Sequence, residues 1–93
     1  MIKATQIRMK SGKEQSNLLT EIDSIYLEGV KENKFYAKGA IHDFIVKNPQ
    51  SLIQVNISPY PNLIPAISSN KEKYVRSKAN DTPDDNLLKL PRG

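Results

Sequence analysis

A chain of 93 residues, 38% apolar and 26% charged, supports one domain with a small core, because a chain this short buries only roughly 60–65% of the surface that its unfolded form exposes. The absence of cysteine excludes disulfide staples and thiolate metal sites. The net charge of +4 is spread evenly over both halves of the chain and reads as ordinary solvation of a small domain rather than as a nucleic-acid footprint.

Residues 2–10 alternate, with Thr5, Ile7 and Met9 on one face and Gln6, Arg8 and Lys10 on the other, which predicts a half-buried strand. Residues 11–17 form a polar loop. A second strand is expected over 21–28, where Ile22 and Tyr26 oppose Ile25 and Leu27. Either both of its faces are partly covered, or a bulge resets the register. Gly29 and Lys31-Glu32-Asn33 make a turn into a short strand, Lys34-Phe35-Tyr36-Ala37-Lys38, so these two strands form a hairpin. After Gly39 the period changes. Ile41, Phe44, Ile45 and Asn48 fall at i, i+3, i+4 and i+7 of a helix over 40–48, which Pro49 ends.

Residues 51–58 alternate again, with Ile53, Val55 and Ile57 pointing one way. A loop at Pro59-Tyr60-Pro61-Asn62 leads into a strand over 63–68 that contains Pro65, which belongs on an edge or at a bulge. Asn70-Lys71-Glu72 turns into a last strand, Lys73-Tyr74-Val75-Arg76-Ser77, giving a second hairpin. The order is β-β-β-α-β-β-β. A helix this short needs a sheet to lie on. The expectation is an α+β fold: a small two-layer domain with an antiparallel sheet of about five or six strands and one short helix packed on it. The domain is expected over 1–79, followed by a tail over 80–93.

The tail carries a helix-start signature. Thr82 is the expected N-cap and Pro83 the first helical residue, with Asp84 and Asp85 facing the positive end of the dipole. Asn86 to Leu90 then supply about one turn, stopped by Pro91. Leu87, Leu88 and Leu90 give this segment enough apolar area to latch over the sheet, each contributing about 1.5–3 kcal/mol if buried. Arg76 is expected to pair with Asp81, Asp84 or Asp85. The rival reading of the tail is a recognition segment that docks into a partner.

Chemistry-bearing motifs are scarce. The one histidine, His42, stands beside Asp43, and neighbours on a helix point about 100° apart, so a triad-like pair is not expected. His42 is read as a surface or helix-flank residue. Counting from Asp81, a calcium loop of the EF-hand type would need an oxygen ligand at Pro83 and glycine at Asn86, so the match fails. The glycines are isolated, which excludes a familiar phosphate cradle. No catalytic constellation, cofactor site or metal site is expected. No apolar run nears the roughly 20 residues that span a bilayer, and the first residues hold no continuous apolar block. A cytoplasmic address is expected.

The C-terminal third carries a resemblance. Val55-Asn56-Ile57 precedes Tyr74-Val75-Arg76-Ser77, then Asn80-Asp81 and Asp85-Asn86-Leu87-Leu88-Lys89-Leu90-Pro91. This pattern resembles a family of small bacterial proteins catalogued as domain of unknown function 3892, whose members show a similar "V-N-V" strand, "Y-L-R-S/T" strand and closing "N-N-L-x-x-L-P". Ile7-Arg8 is similar to the family's opening strand. The resemblance runs from about residue 40 to 92 and is weak over 11–38. Thr82 stands where the family has a turn glycine, and the hairpin containing Pro59, Pro61 and Pro65 is longer. The resemblance implies a bacterial or phage setting and carries over no site residues.

Function is therefore expected to lie on the surface. The first reading is a non-enzymatic binding module acting on a protein partner, as a bacterial or phage regulatory or inhibitory protein. The alternative is a nucleic-acid-binding module using the basic strands 34–38 and 71–78, with Lys34, Tyr36, Lys38, Lys73, Tyr74, Arg76 and Lys78 as candidate contacts. Phe35 and Tyr36 point to opposite faces of a strand, so at most one is a stacking platform and the other is core.

Overall fold

The computed structural model describes residues 2–58, 60–78 and 86–92. The elements follow the expected order: β1 (Ile2–Met9), β2 (Ile22–Glu28), β3 (Lys34–Ala37), α1 (Lys38–Lys47), β4 (Ile53–Val55), β5 (Leu63–Ile67) and β6 (Lys73–Ser77). Two 3-10 turns are added, Leu19–Glu21 before β2 and Asn86–Lys89 in the tail. The fold is a mixed α+β fold, with six strands and one helix among the described residues.

The strands fall into two sheets rather than one: a four-stranded sheet of order β3-β2-β1-β4 and the hairpin β5-β6. Nor is the pairing wholly antiparallel, since β1 runs parallel to β4, with Ile2, Lys3 and Ala4 opposite Ile53, Gln54 and Val55. The physical reason is the crossover. Parallel neighbours cannot be joined by a tight turn, and α1 with its following loop supplies the length that returns the chain in the same sense. A single antiparallel bridge, Gln54 to Asn62, and a bond from the Val55 N–H to the Pro61 carbonyl (2.8 Å) tie the hairpin to the β4 edge.

The pattern conflict in β2 is resolved by bulges. Between β1 and β2 the register slips twice, at Ala4/Gln6 and at Arg8/Met9, so Thr5 and Asp23 are the extra residues. Each bulge returns the apolar residues to one face. Ala4, Ile7 and Met9 of β1 are buried, as are Ile22, Ile25 and Leu27 of β2. Tyr26, opposite Gln6, is left on the other face.

The helix starts at Lys38, two residues before the expected start, and runs through Gly39. At its end the Asn48 N–H and side-chain Nδ2 both donate to the Phe44 carbonyl (2.9 and 3.0 Å), and Pro49 prevents continuation. It packs chiefly on the β5-β6 hairpin and more lightly on β2 and β3. Ile41 joins Ile53, Val55, Leu63 and Val75 in the core. Among the described residues no helix is long and apolar enough to cross a membrane.

Leu87 and Leu90 are buried in this same core, and Leu88 packs against it half-buried. The Leu87 N–H donates to Ser77 Oγ on β6 (3.1 Å). The Ile7 N–H donates to the Pro91 carbonyl (2.9 Å), so Arg92 bridges β1 just past the point where β4 stops. Arg92 also donates to the Glu14 carbonyl at 2.7 Å. The expected helix start at Thr82 to Asp85, and the carboxylates expected for Arg76, lie outside the described residues.

Candidate functional site

Polar side chains gather first around Glu72. The turn before β6 fixes this residue: Ser68 Oγ accepts the N–H groups of Asn70 (3.2 Å) and Glu72 (3.1 Å), and Lys71 adopts a left-handed φ of 63°. Glu72 Oε2 then receives Lys38 Nζ at 2.7 Å and Lys10 Nζ at 2.8 Å. Lys38 is buried, and it also donates to the Thr20 carbonyl at 3.0 Å. The hydrogen bond from Lys10, then that from Lys38, holds the Glu72 carboxyl down to about 2. Glu72 in turn raises the Lys10 ammonium. This node ties β1, α1 and the hairpin together and leaves Lys38 no freedom to contact a partner.

His42 follows Lys38 by one helical turn, on the flank that meets the hairpin. It is buried, not superficial, because the helix is covered on that flank as well as on its Ile41 side. The expected separation from Asp43 also fails. Lys73 on the hairpin holds Asp43 Oδ1 at 3.0 Å, and His42 Nδ1 donates to the same oxygen at 3.2 Å. Lys73 first, then His42, lowers the Asp43 carboxyl. Among the described residues no hydroxyl bonds His42, and no three metal-ligating side chains converge.

The remaining candidates are split between the two sheets. Lys34 is exposed on β3, with its ammonium 5.3 Å from the ring centre of Tyr36 and 3.6 Å from Glu32. Tyr36 is half-buried and donates its hydroxyl to the Glu32 carbonyl (2.6 Å). On β6, Tyr74 and Arg76 are half-buried while Lys73, and Lys78 just beyond the strand, are exposed. The two basic strands therefore form no common face. Phe35, not Tyr36, lies on the outer face of the four-stranded sheet, edge-on to Tyr26 at 5.2 Å and with the Arg8 guanidinium 4.0 Å from its ring centre.

An apolar cleft of about 300 Å³ lies between α1 and the inner face of the four-stranded sheet. Ile2, Leu27, Tyr36 and Ile53 form its sheet wall, Ala40, Ile41 and Phe44 its helix wall, and Val30 and Lys31 its rim. Phe44 remains 38% exposed, and beyond Ile2 a shallower depression reaches the exposed Leu52. The helical period places Phe44 on the stripe with Ile41 and Ile45, but no pattern in the sequence reveals that the sheet stops short of covering it.

No curated protein and no solved structure matches this chain. A family described as protein of unknown function (DUF3892) matches residues 3–91, extending through the stretch where the motifs alone were weak. On that match, the chain belongs to the DUF3892 family.

Proposed function

We propose that the protein is a non-enzymatic binding module that holds a segment of a protein partner in the cleft between α1 and the sheet. The observation that carries this reading is the cleft itself, with walls that are almost wholly apolar and Phe44 half out at its lip. Concave apolar surfaces with few polar groups are the default binding sites of small domains, and an anchor side chain buried there supplies about 1.5–3 kcal/mol. Such a module regulates a bacterial or phage partner by occupying its surface, with no cofactor.

The test uses Ala40, which lines the cleft yet is exposed, so a longer side chain there has space and the fold is retained. Panning a random-peptide display library should enrich peptides with apolar anchors on the wild type. Ala40→Arg should weaken those peptides by about tenfold or more with an unchanged melting temperature. Equal binding to both proteins would remove the reading.

A second reading, contact with single-stranded nucleic acid, is favoured by Phe35, Tyr26 and Arg8 together on the outer sheet face. Bases stack on such platforms for about 1–3 kcal/mol each. Labelled oligo-dT and oligo-U at low salt should bind, less well to Phe35→Ala and Arg8→Ala. Flat anisotropy at low salt would exclude this reading.

A further inference from the structure

The cleft is apolar inside but its mouth is cationic. Lys31 is part of the rim. Lys34 stands 5.3 Å from the ring of Tyr36, which forms the wall. Lys47 follows Phe44 by three residues in the last turn of α1, on the same helical stripe. Of the carboxylates beside these cations, Glu32 is engaged with Lys34 at 3.6 Å, and Asp43, one turn before Lys47, is engaged with Lys73 at 3.0 Å. Among the described residues Lys31 and Lys47 take part in no ion pair. The node around Glu72 and the Asp43–Lys73 pair neutralise Lys10, Lys38 and Lys73 within the fold, whereas Lys31 and Lys47 keep their charge beside the cleft.

Resting on the reading of the cleft as a protein-binding site, we infer that its occupant is an acidic segment: an apolar anchor enters the cleft while flanking Asp or Glu residues face Lys31, Lys34 and Lys47. Rim charges of this kind set partner choice and encounter rate, while the anchor supplies the affinity. The reverse arrangement, an anchor flanked by lysine or arginine, brings like charges together and is disfavoured.

Two peptide display libraries test the inference, each with a randomised apolar core, one with fixed Asp/Glu flanks and the other with fixed Lys/Arg flanks. The wild type should enrich the acidic-flank library, and the resulting peptides should bind more weakly as salt rises. Lys31→Glu combined with Lys47→Glu should weaken them by about tenfold and should shift enrichment to the basic-flank library. Both side chains are exposed, and a thermal melt checks that the double variant folds. Equal enrichment of both libraries on wild type and variant would overturn the inference while leaving the cleft as a binding site. Enrichment of neither library would overturn the cleft reading and the inference with it.

Discussion

Leu87→Ala should destabilise the protein by about 3 kcal/mol, the cost of a large-to-small change at a fully buried leucine. Leu87 is 0% exposed, sits in the same cluster as Ile7 and Val75, and has its N–H bonded to Ser77 Oγ. At about 4–8 °C per kcal/mol for a domain of this size, the melting temperature should fall by more than about 12 °C. Leu88→Ala, at a half-buried position, should cost about 1 kcal/mol or less. Chemical denaturation of the two variants side by side separates a structural latch from a recognition segment. A latch loses stability steeply at Leu87. A segment reserved for a partner loses binding and leaves the melt unchanged.

Glu72→Gln should cost about 1–2 kcal/mol at neutral pH. Breaking a fully buried ion pair costs about 3–5 kcal/mol, because the surviving charge is left without its partner. Here Lys38 has a side chain only 9% exposed, but Glu72 is 36% exposed and solvent screens it, so the lower figure applies. The folded carboxyl lies at about 2, below its ordinary 4.5. Its contribution is therefore fully present above 4.5 and is lost as pH falls through 2. Unfolding curves across that acid range should show the wild type losing an increment of stability that Glu72→Gln has already lost. Lys38→Met, which removes the buried charge and leaves Glu72 to Lys10, should cost less than Glu72→Gln. An identical acid limb in wild type and Glu72→Gln would show that the two lysines do not stabilise the fold through this carboxylate.

Periodicity made the strands and the helix legible, because burial on one face imposes period 2 or 3.6 directly on residue choice. The clash of Ile22 and Tyr26 with Ile25 and Leu27 even signalled the bulges, although it could not place them at Thr5 and Asp23. The parallel partner of β1 was invisible, since pairing across a crossover depends on where the helix deposits the chain and leaves no local mark. In the sequence Lys38 closes the strand 34–38, and the period changes only after Gly39. In the fold Gly39 is helical, and Lys38 opens the helix with its ammonium turned to Glu72. Of the two readings of His42, surface or helix flank, the surface one fails for a related reason. A stripe of apolar residues identifies one covered flank of a helix, and the hairpin covers a second flank with polar partners. The cleft was illegible because it is a gap between elements rather than a property of any one of them.

The far side of β1 is shared between β4, at Ile2 to Ala4, and Pro91–Arg92, at Ile7. The hairpins can zip locally, but the sheet closes only when position 91 has been synthesised and brought home. Loop-closure entropy taxes such distant joins more than neighbouring ones. Nascent chains that end before this segment should therefore expose an open seam along β1, a natural point of capture for chaperones.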